Sequence, residues 1–224
     1  MFVAGLSKRP SRIPSLEGRF PVVEKFRQQP ADDNCTATCF HNALIALGEK
    51  TGRSEIRKIS IREINKTIRL KKDLVLNPKY IVPAFNNHFR NKGLIAHAKS
   101  GSRVSIDDLE NILKRANASP AIVTVPARFF EVYGVEVPPD PIIAGAPFPV
   151  YHDILVLAAD DSVWFYDPMA ERPNLCNAKV NPDGKMSLPV FVDLWGSTKD
   201  PNSFIWIETV PPGPIDKYIS VVHA

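Results

Sequence analysis

The sequence predicts an α+β fold. Segments of helical period fill residues 34–118, β-branched runs fill residues 120–210, and the two kinds do not alternate along the chain. Helices followed by strands favour an antiparallel sheet packed on a helical layer over a doubly wound parallel sheet.

Each element has a local reason. Residues 1–24 are rich in Pro and Arg with little periodicity and read as a basic arm. In "NCTATCFHNALIALG" (34–48), Asn34 suits an N-cap, Phe40, Leu44 and Leu47 recur at helical spacing, and Gly48 suits a C-terminal stop. In "RSEIRKISIREINKTIRLKK" (53–72), Ile56, Ile59, Ile64 and Ile68 share one face of a second helix. "PKYIVPAFNNHFRNKGL" (78–94) predicts a third, with Pro83 near its first turn and Gly93 past its end. "SIDDLENILKRANA" (105–118) opens on a Ser105/Asp108 capping box. "PAIVTVPA" (120–127) is a strand, "HDILVLAA" (152–159) and "DSVWFYDP" (161–168) form a hairpin, and "NSFIWIETV" (202–210) is a last strand. Residues 128–151, long and rich in Pro and aromatics, form a connection of the kind often used as a lid or binding loop. The expected organisation is an arm over 1–24, one folded domain over 25–210 and a tail over 211–224.

The composition excludes several classes. Hydrophobic residues make up 44% of 224, enough for a sizeable core. Three cysteines (Cys35, Cys39 and Cys176) do not make a disulfide framework, and a reducing compartment is the simplest setting. The N-terminus lacks the apolar run of a Sec-type signal, and no stretch reaches the roughly 18 apolar residues of a membrane span. The expected location is the cytoplasm, or outside the cell by a leaderless route. Neither a phosphate loop nor a dinucleotide fingerprint is present. Residues 1–72 carry 15 Lys and Arg against 7 Asp and Glu, and residues 73–224 carry 13 against 17. This basic front reads first as a solvated surface and second as a dock for an acidic partner. Nucleic acid is disfavoured, because no base-stacking or groove-reading motif accompanies the charge.

Cys35 and Cys39 stand four apart with no second Cys or His pair to complete a metal site. A disulfide between them would be strained. Cys39, beside Phe40 and Ala43, reads as core. Cys35 stands at the helix start, where backbone N–H groups and the helix dipole favour a thiolate nucleophile. Such a nucleophile needs a base, a group to orient the base, and donors for an oxyanion. His152 opens one strand of the hairpin and Asp167 closes the other, so the turn between them brings the two together. Gln29, six residues before Cys35, can supply a side-chain N–H beside the Cys35 backbone N–H. His41, His88, His97 and His223 read as structural or exposed.

This constellation resembles the papain-like cysteine peptidases. It is most similar to the double-glycine leader peptidases that process bacteriocin precursors, and to their stand-alone relatives. The Cys35–Gly48 helix has the family's length, "HDILVLAADDSVWFYDP" is similar to its His strand and Asp-Pro strand, and "VFVDLWGSTKDPNSFIWIE" to its closing segment, so the likeness spans roughly residues 26–209. Thr36 and Ala37 replace the usual Gly-Pro, the 128–151 segment is longer, and no transporter domain is attached. The resemblance implies a papain-like fold, its helical half carrying Cys35 and its sheet half carrying His152 and Asp167. It also implies amide acyl transfer on a peptide or protein without metal or organic cofactor. Phytochelatin synthases, which transpeptidate, and certain bacterial effector proteases share the Gln/Cys/His/Asp arrangement, and inactive relatives serve as binding or regulatory modules.

Overall fold

The computed structural model describes residues 18–29, 34–68, 78–134, 137, 151–169 and 184–209. Cys176, His223, the 211–224 tail, and most of the arm and of the 128–151 connection lie outside the described residues.

A 3-10 turn, Pro21–Lys25, carries Val23 into the core, so packing begins upstream of residue 25. Helix α1 (Cys35–Thr51) follows and is buried on nearly every side, which fits its small and aliphatic sequence. Two expectations for it are corrected. Asn34 precedes the helix, but its side chain caps no backbone N–H and instead accepts from the Asn65 amide. Gly48 does not end the helix. The stop is Gly52, with φ 71°, a left-handed conformation that suits glycine. Gly48 serves a close approach, since a Cβ there would sit 2.8 Å from the Arg53 carbonyl oxygen.

The expected helix over 53–72 is also corrected. It divides into a 3-10 turn (Ile56–Lys58) and helix α2 (Ile61–Ile68), with residues 69–72 outside the described set. Ser60 breaks it, its hydroxyl accepting the Glu63 N–H at 3.2 Å as a fresh helix start. Ile56, Ile59 and Ile64 are nonetheless all buried together. Helix α3 (Pro78–Asn91) contains Pro83, and Gly93 follows its end with φ 65°. Strand β1 (Ala96–Gly101), "AHAKSG", had no sequence signal. Helix α4 (Ile106–Leu113) has the expected reciprocal Ser105/Asp108 box but is shorter than 105–118.

Strand β2 (Ala121–Pro126) runs into a 3-10 helix, Ala127–Tyr133, so the long connection begins with ordered helix rather than loop. The hairpin forms as β3 (Tyr151–Ala159) and β4 (Ser162–Tyr166). Strand β5 (Lys185–Ser187), helix α5 (Leu188–Gly196) and β6 (Phe204–Thr209) complete the described elements.

The six strands form one antiparallel sheet in the order β1-β6-β2-β3-β4-β5. The last described strand therefore enters between β1 and β2, which are much earlier in the sequence. Helices α1, α2 and α3 cover one face with Ala98, Ile122, Leu155 and Ile205. The other face buries Val123, Ile154, Val156 and Phe165 under α4, α5 and the Ala127–Tyr133 helix. The fold is thus α+β with a helical region on an antiparallel sheet, and it carries a second helical layer on the opposite face.

Gly48→Ala is expected to destabilise the protein by about 1–3 kcal/mol, the usual cost of forced overpacking. Urea unfolding measures this, and an unchanged midpoint would mean that the close approach at Gly48 carries no constraint.

Candidate active site

The β3–β4 hairpin brings its two ends together as expected. Asp167 follows directly on β4, and His152 is the second residue of β3. The His152 Nε2–H donates to Asp167 Oδ1 at 2.7 Å. Both side chains are almost fully buried, at 0% and 2% exposure. Asp167 has two further donors: the Met169 backbone N–H to Oδ1 at 2.7 Å and the Tyr133 hydroxyl to Oδ2 at 2.8 Å. Phe129 and Phe130 pack against the imidazole, with ring centroids 6.0 and 5.4 Å away.

Two opposing effects set the His152 charge. Burial disfavours the imidazolium, while the Asp167 carboxylate at contact distance and its hydrogen bond favour it, and the nearby Cys35 thiol adds to that preference. The carboxylate wins, and the ring's pKa is pushed up to about 10. Nδ1, the nitrogen left over, is buried and makes no hydrogen bond of full geometry among the described residues. Burial, and after it the same carboxylate, raises the Tyr133 phenol well above its ordinary value, so Tyr133 stays a donor.

Cys35 is the first residue of α1 and is partly exposed, with a free thiol. Cys39 is a free thiol too, completely buried, with its S–H directed at the Asp153 carbonyl oxygen (3.3 Å). Burial, and after it the carboxylate of Asp153, pushes the Cys39 thiol well up. The two cysteines thus occupy different environments, one open at a helix start and one sealed in core.

Gln29 is buried, at 4% exposure, and its backbone N–H donates to the Pro168 carbonyl oxygen at 2.9 Å. That bond ties it to the residue after Asp167. A second tie comes from α1: the Asn42 amide accepts from the Arg27 N–H (2.9 Å) and donates to the Arg27 carbonyl (3.0 Å). Gln28 Nε2 reaches the Tyr166 hydroxyl at 2.8 Å. The segment before Cys35 is therefore strapped to both the helix and the hairpin.

The structure brings His152 and Asp167 into direct contact and joins Gln29 to the same turn through its backbone, and Cys35 is near enough to bear on the charge of the ring. Sequence reasoning missed Tyr133, Phe129 and Phe130, whose "RFFEVY" run was assigned to a loop, and it did not single out Asn42. It also missed Asp153. An acidic residue inside a strand buried on both faces was the available signal, since such a carboxyl requires partners. The remaining described histidines have structural partners: His41 Nδ1 with the Ile59 carbonyl (2.8 Å), His88 with Glu63 (2.8 Å) and His97 with Asn86 (3.4 Å). A cavity of about 420 Å³ lies elsewhere, lined by Arg128, Glu131, Val132 and residues of β5 and α5, and by none of the four candidate residues. Among the described residues, no group of three metal-ligating side chains converges, and no helix is long and apolar enough to cross a membrane.

No protein-family model matches the chain, and no curated protein sequence does. A solved structure does: a chain of Bacillus anthracis provisionally described as a C39-like peptidase, with a TM-score of 0.51 and 15% identity, covering 84% of this chain and 95% of that one. At that identity the likeness establishes a shared fold.

Because its folded pKa is raised from 6.5 to about 10, protonated His152 stabilises the fold fully below pH 6.5 and loses that contribution as pH rises through about 10. Asp167→Asn removes the carboxylate responsible. The variant is expected to lose about 3 kcal/mol near pH 6, as when one partner of a buried pair is removed. The gap to the unmodified protein should narrow toward pH 10. Urea unfolding across that range checks this, and a gap independent of pH would contradict the ion pair.

Proposed function

We propose that the protein is a cysteine peptidase or amide acyl-transferase whose nucleophile is Cys35. The observation that carries the reading is the buried His152–Asp167 pair beside a partly exposed thiol at a helix N-terminus. An imidazole held as imidazolium at neutral pH supports a thiolate–imidazolium resting pair, with the proton on the ring rather than on sulfur.

The chemistry follows from those groups. In that resting pair the Cys35 proton already sits on His152 Nδ1, the ring nitrogen that Asp167 leaves available. The thiolate attacks the carbonyl carbon of an amide, forming a C–S bond while the carbonyl π electrons move to oxygen. The Gln29 side-chain N–H and the Cys35 backbone N–H stabilise that oxyanion. His152 then protonates the departing nitrogen, the C–N bond breaks and an acyl thioester remains. Water, or a second amine, attacks the thioester as His152 takes its proton. The C–S bond breaks and the thiolate returns. Water gives a peptidase and an amine gives a transpeptidase, and both share the first half-reaction.

Support for Gln29 as donor is positional: its backbone is fastened to the Asp167–Pro168 turn and its neighbour Arg27 to α1. The fold shared with the C39-like chain supports peptide or protein amides as substrates. The basic charge of the first third of the sequence is assigned to an acidic partner or to solvent, separately from the chemistry.

Iodoacetamide labelling followed by peptide mapping tests the reading. Cys35 is expected to react near neutral pH far faster than Cys39 and Cys176, and His152→Ala to slow Cys35 by about 100-fold, the scale of losing an acid–base partner. Slow labelling of Cys35 at the rate of Cys176, unchanged by His152→Ala, would overturn it.

A further inference from the structure

Asp153 is 3% exposed and forms no salt bridge among the described residues. A buried carboxyl without a cation costs stability, and a valine would pack there more cheaply. Two hydroxyls offset the cost. Thr124, its cross-strand partner on β2, donates to Oδ1 at 2.7 Å, and Thr36, from the first turn of α1, donates to Oδ2. The Cys39 thiol also reaches the Asp153 backbone carbonyl, so successive turns of α1 fasten to one residue of β3. The titratable groups that bear on Asp153 are His152 next to it in the chain and Cys39 above it.

The placement of these partners is informative. Thr36 follows Cys35 in the chain, and Asp153 follows His152. The Thr36–Asp153 hydrogen bond therefore joins the immediate neighbours of the proposed nucleophile and the proposed base, 117 positions apart. It also gives a physical reason for a threonine directly after Cys35. A glycine there would have no hydroxyl to offer, and Asp153 would lose one of its two side-chain partners.

We propose that Thr36 and Asp153 are positioning residues whose hydrogen bond locks the first turn of α1 onto β3 and so sets the approach of Cys35 to His152. This rests on the acyl-transfer reading above and adds the device that aligns its two reacting groups. Thr124 binds the other oxygen of the same carboxyl from the sheet, so its loss removes a hydrogen bond of the same kind while the Thr36–Asp153 bond to the helix remains.

The test compares iodoacetamide labelling of Cys35 from pH 4 to 9 in the full chain and in Thr36→Val, Thr36→Ser and Thr124→Val, each checked by circular dichroism. A misaligned pair should lower the Thr36→Val rate at pH 7 by about tenfold or more, with Thr36→Ser and Thr124→Val staying within about threefold of the unmodified protein. In Thr36→Val the pH of half-maximal labelling should also rise, because the thiolate loses its aligned imidazolium. Thr36→Ala, which favours helix, replaces Thr36→Val if the latter is recovered unfolded. A Thr36→Val or Thr36→Ala profile matching a reactive unmodified protein overturns this inference alone. So does a fall in Thr124→Val as large as that in Thr36→Val. An unmodified protein whose Cys35 is slow and insensitive to His152→Ala overturns this inference and the functional reading together.

Discussion

An imidazole with no exposed surface does not keep a proton at neutral pH unless a negative group at contact distance replaces its lost hydration. Asp167 supplies that group for His152. Much of the architecture around the pair follows from the need to hold that carboxylate in place. It is a buried anion itself, and it is satisfied by the Met169 N–H and the Tyr133 hydroxyl as well as by the ring. Tyr133 arrives on the Ala127–Tyr133 helix, which also lays Phe129 and Phe130 against His152 and closes that side to water. The turn after Asp167 offers the Pro168 carbonyl to Gln29, which draws the segment before α1 onto the hairpin. One ion pair therefore organises contributions from β3, β4, the 3-10 helix and the chain leading into α1.

Two buried carboxyls bracket the site and do different work. Asp167 faces a cation and fixes charge. Asp153 faces two hydroxyls, and burial raises its carboxyl above the ordinary range even as those hydroxyls oppose the rise. Successive residues of a strand point to opposite sides. His152 thus turns toward the aromatic cluster while Asp153 turns toward α1, and two adjacent residues of β3 serve the charge and the alignment separately.

Much of this was legible in the sequence where chemistry resides in residue type. A Cys at a helix start, and a His and an Asp at the two ends of an alternating hairpin, are read from local patterns, and the structure joins the His to the Asp and starts the helix at the Cys. What was not legible depends on distant pairing or on context. Strand β1 has no β-branched or aromatic residue in "AHAKSG" and exists because β6 pairs along its whole length. Gly48 looks like a stop by type, yet it is a contact by position, and only the chain returning at Arg53 reveals which. The break at Ser60 was readable, since Ser60 and Glu63 stand in cap spacing, but the shared isoleucine face on either side masked it. Asp153 and Tyr133 were passed over because their significance lies in partners, Thr36 and Asp167, that only the tertiary fold brings near.

The most direct measurement is an NMR titration of the His152 imidazole in the full chain, following its ring nitrogens from pH 5 to 11. The ring is expected to stay doubly protonated through neutral pH and to titrate near 10, with the transition moving down in Asp167→Asn. A His152 that titrates near its ordinary 6.5, or whose midpoint ignores Asp167→Asn, would contradict the buried ion pair on which the site is built.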